Sequence, residues 1–202
     1  MGDKTYPLSH NRIRHIYEDK EQQLWIATDG SINRYDYATR QFIHYNIVDN
    51  TGTYNTNWTY YIFEDTAGQL WISTCLGGIF VVDKHKLMQS TSGQYIAEQN
   101  YSVHNGLSGM FINQIIPDNE GNVWVLLYNN KGIDKINPRT REVTKLFADE
   151  LTGEKSPNYL LCDEDGLLWV GFHGGVMRIN PKDESQQSIC LLYTSDAADE
   201  AR

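Results

Sequence analysis

The 202-residue sequence contains no long hydrophobic run and few cysteines. None of its apolar stretches approaches the roughly 20 residues that a membrane-spanning helix needs, so we expect neither such a helix nor membrane contact from this chain. Residues 1–12 contain no apolar segment typical of secretory signals, so we expect no signal peptide here. The three cysteines, Cys75, Cys162 and Cys190, are odd in number and show no CxxC or Cys/His spacing. This excludes a disulfide framework or a structural zinc site as the basis of the fold.

Positive charge is also scarce, and it is not clustered. The 17 lysine and arginine residues are scattered among 26 acidic residues, and the formal net charge is −9. Proteins that bind nucleic acids present a basic patch or stripe, so we expect no nucleic acid partner. No stretch keeps an apolar period of 3.6 residues, and we therefore expect little or no helix.

The motifs of common catalytic and metal sites are missing as well. There is no Gly-x-Ser-x-Gly elbow, and the six histidines show no HExxH spacing. The acidic turn at Asp163 has Gly174 where a calcium loop of the EF-hand type needs a bidentate glutamate. Paired acids such as Glu64 and Asp65 are neighbours in a strand, so their side chains point to opposite faces. We therefore expect no enzymatic activity, no metal and no cofactor in this chain.

What the sequence does contain is a fourfold internal repeat centred on tryptophan. Four of the five tryptophans are separated by 46, 53 and 45 residues, and each of the four follows an apolar residue. An aspartate stands six residues before each of them, and a glycine stands three residues before the last three. A period of this length is typical of repeat architectures. The repeated structural positions are Asp19, Trp25, Asp65, Gly68, Trp71, Asp118, Gly121, Trp124, Asp163, Gly166 and Trp169.

Each copy is predicted to form four short antiparallel strands. The segments around the tryptophans, such as residues 24–28 and 70–74, are apolar and bounded by turn signals, as in strands buried on both faces. In the preceding turn the aspartate is expected to accept hydrogen bonds from backbone amides, and the glycine to supply a positive φ. Stacking such sheets, with a tryptophan between neighbours, buries both apolar faces. We therefore predict an all-β partial β-propeller of about four four-stranded antiparallel blades in an open arc, with a β-sandwich as the alternative.

The predicted propeller occupies residues 1–189. Its limits follow from the turn signals on either side of each repeat copy. We place the four blades at about 9–46, 57–100, 109–148 and 156–182.

Residues 190–202 fit no blade and are predicted to be a non-native or disordered tail. The segment Cys190 to Glu200 resembles translated sequencing adapter, and a native disordered tail is the alternative. Because the pattern breaks at this point, we expect the fourth blade to lack its outer strand.

The repeat resembles the two-component regulator propeller repeat. The shared pattern is apolar-x-x-Ile-x-Glu-Asp-x-x-Gly-x-Leu-Trp-Ile-x-Thr-x-x-Gly-Ile, and residues 62–79 carry it most fully. The resemblance covers residues 5–182. The copies depart from the pattern at Gln22, Pro117, Leu127, Cys162 and Phe172.

The resemblance implies a place in a sensor outside the inner membrane. In that family such repeats form seven-bladed propellers, followed by a β-sandwich, a membrane helix and a histidine kinase. Many members come from gut Bacteroidetes and control the breakdown of polysaccharides. It therefore implies a ligand-sensing, oligosaccharide-binding segment at the periplasmic face, joined to further blades and a kinase in a homodimeric receptor. The alternatives are a protein-interaction propeller and a propeller lyase.

Candidate ligand contacts lie in the loops that depart most from the repeat. In a propeller, the loops between second and third strands and the segments that lead into each blade share one face. Aromatic side chains beside asparagine, aspartate, arginine and histidine suit sugars, which offer apolar C–H faces and directional hydroxyls. The predicted contacts are Trp58, Arg12, Phe111, Asp29, Asn57, Tyr128, Asn129 and His173.

Overall fold

Four small sheets follow one another along the chain. The computed structural model describes residues 8–91, 93–128, 132–151, 153 and 156–190. In each four-stranded sheet the strands are antiparallel and run from the inside of the arc to the outside in chain order. Blade 1 consists of β1 (Ile13–Glu18), β2 (Leu24–Thr28), β3 (Ser31–Asp36) and β4 (Gln41–Tyr45). Blade 2 consists of β6 (Thr59–Glu64), β7 (Gln69–Thr74), β8 (Ile79–Asp83) and β10 (Gln99–Tyr101). Blade 3 consists of β11 (Ile112–Pro117), β12 (Val123–Leu127), β13 (Ile133–Asn137) and β14 (Glu142–Leu146), and blade 4 of β15 (Pro157–Cys162), β16 (Leu168–Phe172), β17 (Gly175–Ile179) and β18 (Gln186–Cys190).

The predicted architecture is confirmed: the chain is an all-β partial propeller. The first strands of consecutive blades contact each other, from β1 to β6, then to β11, then to β15. Within the described part of the chain the blades form an open arc. The first strand of every blade therefore lines the inside of the arc.

Tryptophans fill the space between neighbouring blades. Trp25 packs in one apolar cluster with residues of blade 2, Trp71 in a second cluster with residues of blade 3, and Trp124 in a third with residues of blade 4. These three side chains are at most 1% exposed, whereas Trp169 on the last blade is only half-buried. Each of these three buried tryptophans therefore faces the blade that follows its own, as expected for stacked blades.

A hydrogen-bonded turn joins the first and second strands of each blade. The Oδ1 atom of Asp65 accepts hydrogen bonds from the backbone amides of Ala67 and Gln69. Gly68 completes the turn with φ of +77°, and Gln22 takes the same left-handed conformation in blade 1 with φ of +62°. An L-residue with a side chain is strained in that region, so the backbone of the blade 1 turn is more strained than that of the three turns with glycine.

The fourth blade does have an outer strand, contrary to the prediction. Strand β18 pairs antiparallel with β17 over its five residues. Backbone pairing does not require the repeat's side chains, because an edge strand offers unpaired amides and carbonyls to any extended segment beside it. Cys190, the first residue of the predicted tail, is the last residue of β18, and residues 191–202 lie outside the described residues.

Blade 2 carries an insertion that the sequence pattern did not indicate. Between β8 and β10 lie the short helix α1 (Lys84–Gln89) and strand β9 (Tyr95–Ile96). Strand β9 pairs in parallel with β5 (Ile47–Val48), which connects blades 1 and 2. A 3-10 turn at Val103–Asn105 then leads towards blade 3. Of the described helices, none is long and apolar enough to span a membrane.

Candidate functional site

Within three of the blades, the entry segment and the loop after the second strand meet through the same backbone contact. The residue just before the first strand accepts a hydrogen bond from the amide of the residue that follows the second strand. This contact joins Asp29 to Arg12 at 3.2 Å, Cys75 to Trp58 at 2.9 Å and Tyr128 to Phe111 at 2.9 Å. We call the face of the arc that carries these contacts the mouth.

A β-bulge turns one further side chain per blade towards the mouth. In blade 1, Ile13 pairs with Thr28 and His15 with Ala27, so Arg14 is an extra residue in β1. The same register shift occurs near the start of β6, β11 and β15. Bulges commonly re-aim a side chain beside a functional site. The bulged residues are Arg14, Tyr60, Asn113 and Asn158.

Three of the bulged residues line a cleft of about 440 Å³, here named the mouth cleft. One wall is formed by Arg14, Tyr60 and Cys75 of blades 1 and 2, and the other by Phe111, Asn113 and Tyr128 of blade 3. Phe111 is 47% exposed and Tyr128 is 65% exposed. Large exposed aromatic side chains beside polar groups are typical of ligand sites.

A buried carboxylate organises the charge at the mouth. Asp29 Oδ1 lies 2.7 Å from Arg14 Nε, and Asp29 Oδ2 lies 3.4 Å from Arg12 Nη1. The hydrogen bond from Arg14 is the main cause that holds the pKa of Asp29 below its usual value. The Asp29 side chain is only 7% exposed, whereas that of Arg12 is 65% exposed. Asp29 therefore positions the arginines, and Arg12 is the one of the three that faces solvent.

Arg14 also contacts Tyr60, which lines the same cleft. The Arg14 guanidinium carbon lies 4.5 Å from the centre of the Tyr60 ring, in a cation–π contact. Burial raises the pKa of the Tyr60 hydroxyl and that of the neighbouring Cys75 thiol. Both groups are therefore neutral at pH 7, and the hydroxyl can donate or accept a hydrogen bond there.

Trp58 does not line the mouth cleft but a second cleft of about 330 Å³. The second cleft is lined by Asn57, Trp58 and Leu76, among others. Trp58 has a φ of +55°, which strains a residue with a side chain, and its amide donates to the carbonyl of Asp29 at 3.1 Å. Its indole is 47% exposed. This strained backbone therefore holds an aromatic ring out of the core.

Three other predicted residues, Arg12, Asp29 and His173, line neither cleft. His173 is exposed in the loop between β16 and β17 of blade 4, and it lines neither cleft. Asn129 lies outside the described residues. The described residues contain no group of three or more His, Cys, Asp or Glu side chains that could hold a metal ion.

Sequence reasoning missed the bulged residues. It selected Arg12, Trp58 and Phe111, which stand seven residues before the repeated aspartate, immediately before each first strand. The bulged residues stand two positions later. Their variation among the copies (Arg, Tyr, Asn and Asn) marks a position free of the repeat's structural demands, and that variation is the signal that could have found them.

Comparison with known proteins identifies the repeat. Residues 7–30 match the family model described as two component regulator propeller. This match lies in the first repeat copy and confirms the predicted resemblance to the two-component regulator propeller repeat. No curated protein sequence matches the chain.

Two solved structures are near-identical to this chain. Both contain the extracellular domain of BT4673 from B. thetaiotaomicron, provisionally assigned to a one component system in one case and to a hybrid two component system in the other. They share 99% and 97% identity with the chain over 95% and 96% of its length, with TM-scores of 0.92 and 0.93. The chain spans 26% of the length of each. The extracellular domain of BT3049 from the same organism, provisionally a hybrid two component system, is similar in fold, with 20% identity over 90% of this chain and 25% of that one, and a TM-score of 0.69.

Proposed function

We propose that this chain is the ligand-sensing segment of the extracytoplasmic sensor of a membrane hybrid two-component histidine kinase. Near-identity to part of the extracellular domain of BT4673 supports both the sensor role and a location at the periplasmic face of the inner membrane. In this proposal the chain binds and reports a ligand and has no enzymatic activity. The remaining blades and the kinase belong to a longer, homodimeric receptor, whose arrangement shifts when ligand binds.

We further propose that the ligand is an oligosaccharide, and the mouth cleft is the observation that carries this assignment. Phe111 and Tyr128 offer exposed aromatic faces on one wall, and Asn113 and Arg14 offer directional hydrogen-bond groups beside them. Aromatic faces pack against the C–H faces of sugars, while fixed donors and acceptors select their hydroxyls. Trp58 extends this surface into the second cleft.

Calorimetry on the complete extracellular domain that contains this chain tests the proposal. The domain is titrated with a panel of oligosaccharides, and we expect saturable heat from one glycan class. The Trp58→Ala variant should bind that class more weakly. The absence of heat with every glycan, together with binding of a polypeptide at the same face, would instead favour a protein-interaction propeller.

A further inference from the structure

Blades 1 and 2 are joined by a buried ion-pair network. The Nζ atom of Lys84 in the blade 2 insertion lies 3.0 Å from Glu64 Oε1 and 3.2 Å from Asp19 Oδ2. Glu64 belongs to blade 2 and Asp19 to blade 1, so one ammonium group bridges both blades. Lys84 and Asp19 are fully buried at their side chains, and the amide of Lys20 also donates to Glu64 at 3.0 Å. Hydrogen-bonded ion pairs away from water hold one arrangement of their groups, because any separation leaves a buried charge.

Blades 3 and 4 are also joined by directional polar contacts. The Nζ atom of Lys135 lies 3.2 Å from Glu184 Oε1 and donates to the carbonyl of Pro181 at 3.3 Å. The amide side chain of Gln114 accepts from the amide of Leu160 at 2.8 Å and donates to its carbonyl at 2.9 Å. These contacts fix blade 4 on blade 3.

The junction between blades 2 and 3 is built differently. On the blade 2 side, Trp71 stacks on Phe63 and Tyr101, with ring centres 6.0 and 5.6 Å apart, and this stack packs against apolar residues of blade 3. Among the described residues, none of the ion pairs joins blade 2 to blade 3. Across the junction, the Gln114 side chain lies near the Tyr61 hydroxyl, whose pKa is raised mainly by burial. Apolar contact resists separation but is non-directional, so small rocking motions cost little.

The residue paired with the tryptophan accounts for part of this difference. In blade 2 that residue is Val81, whereas in blade 3 it is Lys135, which forms the ion pair to blade 4. The junction between blades 2 and 3 therefore lacks the cation that joins blades 3 and 4. In the other blades the residue paired with the tryptophan is basic: Arg34, Lys135 and Arg178.

The mouth cleft spans this same junction, since its two walls belong to blades 1 and 2 and to blade 3. We propose that the junction between blades 2 and 3 is the adjustable junction of the arc. A ligand held between the two walls sets the angle between the unit of blades 1 and 2 and the unit of blades 3 and 4. The role of the ligand rests on the proposed function, whereas the adjustable junction does not.

Distance measurements between spin labels test both statements in the complete extracellular domain. Nitroxides are attached through a ketone-bearing amino acid, so the native cysteines stay unlabelled, at exposed turn positions of the four blades. We expect a broader distance distribution between blades 2 and 3 than across the other two junctions. The Lys84→Met variant should broaden the distribution between blades 1 and 2. Lys86→Met should not, because Lys86, two residues later on the same helix, is exposed. The labelled positions are Ala38, Ala67, Glu120 and Asp165.

The effect of ligand on these distance distributions is measured by adding a pool of polysaccharide hydrolysates that gives heat in calorimetry. We expect the pool to narrow the distribution between Ala67 and Glu120. Equal widths at all three junctions would overturn the adjustable junction while leaving the proposed function intact. A broad distribution that the pool leaves unchanged would overturn the ligand's role. If Lys84→Met does not fold, Glu64→Gln removes a charge from the same network and should broaden the same distribution between blades 1 and 2.

Discussion

The indole N–H of Trp25 donates a hydrogen bond of 2.9 Å to Oδ2 of Asp19, six residues earlier in the chain. The other oxygen of the carboxylate, Oδ1, accepts from the amides of Glu21 and Gln23 within the turn. One side chain therefore ties the hairpin turn to the ring that packs against the next blade. The same bond joins Asp65 to Trp71, Asp118 to Trp124 and Asp163 to Trp169.

Replacing Asp118 with alanine should destabilise the protein more than the loss of an ordinary turn bond. The change leaves the indole N–H of the fully buried Trp124 without its acceptor and frees two turn amides. Losing hydrogen bonds to a charged group costs about 2–3 kcal/mol. Chemical denaturation of the complete extracellular domain measures the loss.

Asp36→Ala is the matched control for that experiment. Asp36 also bonds within its turn, accepting from Ala38 and Thr39, but it is only half-buried, and its hydrogen bonds in the described structure do not include a tryptophan. Its replacement should shift the midpoint far less. Equal shifts for the two variants would show that the bond to the indole contributes nothing.

Lys84→Met should reduce stability most near neutral pH. Burial alone lowers the pKa of Lys84, but its hydrogen bonds to Glu64 and Asp19 outweigh this, and the pKa is raised. For Asp19, burial alone raises the pKa, but the bonds from Trp25, from the amide of Gln23 and from Lys84 outweigh it, and the pKa is lowered. Removing one partner of a buried pair costs about 3–5 kcal/mol.

The pH range of that effect follows from the raised pKa of Lys84 and the lowered pKa of Asp19. A raised lysine pKa contributes stability that is fully present below about pH 10.4, the unfolded value, and is lost as pH rises further. A lowered aspartate pKa contributes stability that is present above about pH 3.9 and is lost as pH falls further. The stability difference between Lys84→Met and the unchanged protein should therefore shrink at both extremes. A difference that stays constant from acid to alkaline pH would contradict the charged network.

Asp134→Asn should stabilise the protein at pH 7. Asp134 is buried, and burial outweighs the bonds from the Ser108 amide and hydroxyl, so its pKa is raised. The folded protein therefore loses stability as pH rises from the pKa that Asp134 has in the unfolded chain through its higher pKa in the folded one. The uncharged amide of asparagine avoids this loss. Asn33 occupies the equivalent position in blade 1 and accepts from the amide of Ser9 at 2.9 Å. We expect a gain on the order of 1 kcal/mol at pH 7 that disappears near pH 4, as followed by thermal unfolding.

Gly78→Ala should disrupt blade 2. Gly78 has a φ of +75°, and a Cβ atom there would collide with the carbonyl oxygen of Tyr101 in the outer strand β10. The strain and the displaced strand should together cost more than about 2 kcal/mol. Gly93→Ala, where a Cβ atom meets no neighbour within 4 Å, is the control. Similar midpoints for the two variants would contradict this packing.

The fold could be predicted from sequence because the repeat encodes local and non-local contacts together. The aspartate and glycine set the turn, and the tryptophan requires a second apolar sheet beside it, so repetition alone implies stacked blades. The outer strand β18 and the insertion at residues 84–98 could not be predicted this way. Both depend on backbone pairing or on a single copy of the repeat, and neither leaves a periodic signal.

The candidate site was predictable only in part. The position before each first strand could be read from its spacing to the aspartate, which yielded Arg12, Trp58 and Phe111. The role of Asp29 could not be predicted, since only the fold shows that its carboxylate already accepts a hydrogen bond from Arg14. A one-residue bulge changes which side chains face the mouth, and its backbone origin is invisible in a single sequence.

Calorimetric titration of the Phe111→Ala variant of the complete extracellular domain is the most direct test of the account. Phe111 and the control residue Tyr37 are both large, exposed aromatics, but Tyr37 lies at the outer turn of blade 1. With the glycan class that gives heat in the unchanged domain, we predict at least about tenfold weaker binding for Phe111→Ala, equivalent to about 1.4 kcal/mol, and unchanged binding for Tyr37→Ala. Unchanged affinity in Phe111→Ala would contradict the mouth cleft as the ligand site.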